Sequence, residues 1–72
     1  MKHITHRQYD ALEGAIVHGR RLSLRRRGSE FVVVPTRLRS EGSREVLEAR
    51  HPTTGEEITL FLDELESMEV VF

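Results

Sequence analysis

Up to Gly19 the apolar residues of this chain recur every three or four positions. Beyond it they recur at every second position, and that change of period leaves few folds open. Tyr9, Leu12 and Ile16, with Ala15 and Ala11 beside them, form one stripe of a helix that must pack on something. Thr5 is placed to start this helix: its side chain can accept from the backbone N–H of Gln8 while Gln8 reaches back. Ile4 and Tyr9 occupy the two flanking staple positions, and Gly19 fits the left-handed cap that ends it. The spacing predicts a helix over residues 5–18. At that length, with Gly14 inside it costing about 1 kcal/mol relative to Ala, it would not persist without a sheet beneath it.

The sheet follows in five segments. Residues 21–27 place Leu22 and Leu24 on one face and Arg21, Ser23, Arg25 and Arg27 on the other; Gly28-Ser29 turns the chain into a β-branched strand over 30–39. Pro35 cannot donate to a ladder, so it marks an edge, a bulge or a bend between sheets. Ser40-Glu41-Gly42-Ser43 is the next turn, residues 44–50 the third strand, and residues 51–55 a tight turn in which Gly55 takes positive φ. Residues 56–62 point Ile58, Leu60 and Leu62 inward. Asp63-Glu64-Leu65 is a short connection in which the Asp63 side chain bonds nearby backbone N–H groups. Residues 67–72 close the chain with Met68, Val70 and Phe72 on one face, and the spacing of Tyr9, Phe31, Phe61 and Phe72 reads as core. One helix and five short sequential strands define a mainly β, α+β chain with the layout of an SH3-like or Sm-like small barrel, whose closure hides the sheet edges. With 72 residues there is room for one domain, residues 1–72, with residues 1–4 as a tail.

Charge is distributed as unevenly as hydrophobicity. Through Ser40 there are nine basic residues against three acidic ones; after it there are two against nine, although the net charge is only −1. Arg20, Arg21, Arg25, Arg27, Arg37 and Arg39 are therefore candidates for a guanidinium patch that binds phosphate oxygens. Alternation limits how many converge, because Arg26 points away from Arg25 and Arg27. The competing expectation is that these arginines pair with Glu45, Glu48, Glu56 and Glu57 on neighbouring strands. Asp63, Glu64, Glu66 and Glu69 form an acidic end suited to a basic protein or to the basic half of another copy, or simply a charged edge that discourages strand pairing.

Two family resemblances enter here. Tyr9-Asp10-Ala11-Leu12-Glu13, followed by Ala15, His18 and Leu22/Leu24, with the ending Leu62-Asp63-Glu64-Leu65, resembles the Rof proteins, Sm-like modules that bind termination factor Rho. A broader pattern resembles WYL domains, Sm-like regulatory modules of bacterial transcription factors. It comprises Ala15-Ile16 leading into Arg21-Leu22-Ser23-Leu24, the valine strand running into Pro35, Leu38, and the close from Leu60-Phe61-Leu62 through Glu69-Val70. Glu45-Val46-Leu47 stands where that family has its eponymous motif. Both resemblances imply an Sm-like barrel and a regulatory role in transcription or RNA metabolism.

Other classes are disfavoured by what the residues lack. Without Cys there is neither disulfide nor thiolate metal site, which fits a reducing compartment, and a cytoplasmic location is expected. The longest apolar run, residues 31–34, is four residues, far short of the roughly 20 that cross a bilayer, and the opening residues lack the apolar core of a secretion signal. His3 and His6 straddle the helix start, His18 sits in its last turn and His51 stands apart, so no metal site is expected. No nucleophile has a base at a recognisable spacing, and no glycine-rich phosphate loop occurs; no enzyme and no cofactor are expected. The preferred reading is a small regulatory binding module that touches nucleic acid through its arginines or docks on a nucleic-acid-binding protein. The alternatives are a self-assembling Sm-like homo-oligomer and an acidic inhibitor-like protein with a basic partner.

Overall fold

The structure, a computed structural model, describes residues 4–72. Lys2, His3 and all but the last residue of the segment expected as a tail lie outside the described residues. Helix α1 runs His6–His18 and begins on Thr5, whose Oγ1 accepts from the Gln8 N–H at 3.1 Å while Gln8 Oε1 accepts from the Thr5 N–H at 2.9 Å. Both halves of the capping box are made. At the other end Gly19 takes φ 64°, and the Arg20 N–H donates to the Ala15 carbonyl at 2.9 Å, so orphan carbonyls of the last turn are satisfied. Leu12 and Ala15 are the buried residues of the helix. Tyr9 is 38% exposed, which corrects the expectation that it is core.

The strands are β1 (Arg21–Arg26), β2 (Ser29–Glu41), β3 (Arg44–Arg50), β4 (Glu57–Phe61) and β5 (Ser67–Val71), with a short 3-10 helix, Leu62–Glu64, between the last two. All four ladders are antiparallel and the order is β4-β3-β2-β1-β5. This is a small compact α+β fold, with strands taking up 52% of it, consistent with an Sm-like or SH3-like barrel. The long strand β2 explains the curvature. Its ladder with β1 ends at Val33, its ladder with β3 begins at Val34, and a bulge between Pro35 and Arg37 bends it where it passes from one partner to the other. Pro35 sits just past the β1 ladder and opposite Ala49, at the edge of the bulge, a position where strands accommodate a residue without an N–H.

Leu22, Leu24, Val33, Leu47, Ala49, Leu60, Leu62 and Leu65 join Leu12 and Ala15 in one buried cluster on the concave side. Three expectations are corrected. The first hairpin turns on Arg27-Gly28 rather than Gly28-Ser29, with φ of 53° and 77°. Phe72 lies beyond β5 and is 92% exposed rather than core. Finally, among the described residues β5 pairs only with β1 and β4 only with β3, so no ladder joins β4 to β5 to close the sheet there.

Candidate functional site

The arginines do not form the single patch that their crowding in sequence suggests. Nine positions of β2 separate Glu30, the cross-strand neighbour of Arg25, from Arg39, a path of about 30 Å along an extended strand. The structure therefore splits the candidates into a hairpin group and a group beyond the bulge.

In the hairpin group, Arg25 donates to Glu30 at 2.8 Å and to the Gly28 carbonyl at 3.5 Å. Arg27 occupies the turn itself, and Arg26 lies 5.7 Å from the centre of the Phe31 ring. Beyond the bulge, Arg39 donates to Glu48 and, at 3.1 Å, to Glu41. Those two hydrogen bonds, from Glu48 first and Glu41 second, hold its guanidinium above its usual pKa. Arg39 is cross-strand from Val46, which is fully buried yet stands outside the main core cluster. Next to Val46 on β4 is Phe61, whose ring carries the Arg44 guanidinium at 3.6 Å. Arg44 also grips Asp63 through two hydrogen bonds of 2.8 and 2.7 Å. They hold the Asp63 carboxyl below its usual range, although partial burial works the other way. Asp63 is thus the carboxylate of an ion pair rather than a cap for its own turn.

The rest of the acidic end is also partly engaged. Glu66 accepts from the Gly28 N–H at 2.7 Å, and its own N–H donates to the Arg25 carbonyl at 2.7 Å, tying the β1–β2 turn to the start of β5. Glu64 is exposed, and Glu69 faces outward beside Ser23. Of the four glutamates expected to pair with arginines, only Glu48 is so engaged. His51 closes its own turn, its Nδ1 accepting from the N–H groups of Thr53 and Thr54 at 3.2 and 3.4 Å. Among the described residues no three of the His, Asp and Glu side chains gather as a metal site, and no helix is long and apolar enough to cross a membrane.

Removing the engaged side chains leaves a smaller constellation. Arg21, at the start of β1, is cross-strand from Val71; Arg50, at the end of β3, is cross-strand from Val34; Arg37 follows the bulge opposite Glu48. Arg21 lies one residue beyond the last β1–β2 pair, Leu22 with Val33, and Arg50 faces Val34 across the first β2–β3 pair, so the two stand at the adjoining ends of the two ladders. None of the three makes an ion pair among the described residues, although Glu57 is cross-strand from Arg50 and Arg39 has taken Glu48 from Arg37. Arg50 is the member that sequence reasoning missed. It falls in the acidic half of the chain, and only the register of β3 against β2 brings it opposite Val34, one residue past the end of the β1 ladder.

Arg20 belongs elsewhere. Its guanidinium lies 4.6 Å from the centre of the Phe72 ring, at one end of an open groove of about 730 Å³ between α1 and β5. Ala11, Gly14, Ala15 and His18 form its helical wall; Met68, Glu69, Val70 and Phe72 form the other.

No protein-family model matches this chain, and neither does any curated protein. Among solved structures it is similar to Proteasome accessory factor B/C (PafBC) of Arthrobacter aurescens, with 31% sequence identity and a TM-score of 0.75 over 89% of this chain. The chain spans 11% of the length of that protein. The Rof resemblance receives no support from these comparisons.

Proposed function

We propose that residues 1–72 act as one WYL-related, non-enzymatic regulatory binding module that engages nucleic-acid phosphates through Arg21, Arg37 and Arg50. The WYL-type sequence pattern and the likeness to a segment of PafBC support the regulatory part of this reading. The observation that supports the rest is that Arg21, Arg37 and Arg50 lie on neighbouring strands near the middle of β2 and that none of them makes an ion pair among the described residues. An unpaired guanidinium presents a planar fork of N–H donors that matches two phosphate oxygens at once. The cross-strand neighbours of Arg21, Arg37 and Arg50 are Val71, Glu48, Val34 and Glu57, none of them aromatic, so bases have no ring to stack on beside these arginines. The binding is therefore expected to follow the backbone and to be indifferent to sequence.

Fluorescence-polarisation titrations of mixed-sequence single-stranded RNA and of duplex DNA test this. Arg21→Glu, Arg37→Glu and Arg50→Glu combined should weaken binding by about tenfold or more at low salt. Arg26→Gln with Arg27→Gln, at the hairpin, should leave it nearly unchanged. If the hairpin variant is the one that loses affinity, phosphates contact the other end of the sheet.

A further inference from the structure

We infer that the groove between α1 and β5 is a strand-addition site for an extended segment of a partner protein, apolar at alternate positions and acidic where it meets Arg20. This inference does not depend on the arginine-face reading. Among the described residues strand β5 pairs with β1 on one side only, so alternate residues direct N–H and C=O groups away from the sheet, and an added strand would satisfy them. The edge is blunted only by its length of five residues and by Glu69; β5 contains no Pro, no Lys and no register shift against β1.

What lies beside the edge selects the occupant. The helical wall is cut back to Ala11, Gly14 and Ala15, and Met68 and Val70 supply apolar floor, so side chains on one face of the incoming strand have somewhere to go. At the Phe72 end, Arg20 stacks on an aromatic ring that is 92% exposed, and His18 stands nearby. A cation at that end and Glu69 in the middle fix the charge pattern: an acid is attracted at one end and repelled at the centre. Every ladder in the sheet is antiparallel. An antiparallel addition continues the pattern and puts the acid near the N-terminal end of the segment. A second copy of this chain is the competing occupant, because its own β4 edge is also free.

Panning a phage-displayed library of random decapeptides against the full chain, followed by polarisation titration of the enriched peptides, tests the inference. Enriched sequences should alternate apolar and polar residues with Asp or Glu near the N-terminal end, and their binding should protect β5 amides from hydrogen exchange. A Cβ at Gly14 meets nothing within 4 Å, so Gly14→Leu should fill the groove without disturbing the fold. It should weaken binding by about tenfold while the melting temperature holds or rises. Arg20→Glu should weaken peptides with the acidic end more than analogues with a neutral one. The combined Arg21, Arg37 and Arg50 variant should bind these peptides as the parent does. The inference fails if no sequence is enriched, or if enriched peptides bind a folded Gly14→Leu variant unchanged. It also fails if sedimentation equilibrium shows self-association that Gly14→Leu abolishes, which would assign the groove to a second copy.

Discussion

Arg27 is held at φ 53°, in a region that costs an L-residue about 1–2 kcal/mol and that Asn tolerates better than most. Arg27→Asn should therefore raise stability by roughly 0.5–1 kcal/mol in urea titration; an unchanged midpoint would show that the turn relaxes without cost. The one-residue offset from the expected turn has the same origin. Arg carries no turn signal, so the pattern pointed to Gly28-Ser29, while the register of Arg26 against Ser29 fixes the bend one position earlier. At Asp63 the Arg44 hydrogen bonds lower the folded-state pKa. An acid whose pKa is depressed on folding adds stability that is fully present above its unfolded value of about 3.9 and is lost as pH falls through the lower folded value. Asp63→Asn should lower the melting temperature at neutral pH and converge with the parent at the acid end. Curves that stay parallel down to acid pH would mean the pair contributes nothing. The Asp63 partner was not legible in sequence, because Arg44 is 19 positions away, whereas a turn-forming role needs only neighbours.

Elements were readable wherever their signals are local. The start of α1 is determined by residues within one turn of each other, and Thr5→Ala should cost about 1 kcal/mol by loss of the cap, read as a shift in the denaturation midpoint. A Thr5→Ser variant should retain most of that stability; equal loss in both would place the effect outside the hydroxyl. The alternation of Leu22 with Leu24, and of Ile58 with Leu60, likewise announces strands before any partner is known. Edges and ends were less legible. Phe72 continues the inward alternation of Met68 and Val70, but the ladder stops at Val71 and nothing beyond holds the ring against the core. Whether β4 and β5 would meet depends on the curvature of the whole sheet, which no local pattern encodes.

For the molecule as a whole, a lopsided charge sequence has become a surface in which the opposite charges are partly spent on one another. Arg25, Arg39 and Arg44 hold Glu30, Glu48 with Glu41, and Asp63, while Arg21, Arg37 and Arg50 make no ion pair among the described residues. Residue types name candidate arginines, but only strand register decides which of them stay unpaired, and the place of Arg50 opposite Val34 is one that no sequence spacing reveals. The most direct measurement is the salt dependence of binding to mixed-sequence single-stranded RNA and duplex DNA. With three phosphates neutralised, the plot of log K against log salt should have a slope of about −2 for the single strand and about −2.7 for the duplex, with about a third of it lost for each of Arg21, Arg37 and Arg50 replaced by Gln. A slope near zero, or one that survives all three replacements, would contradict phosphate recognition by this face.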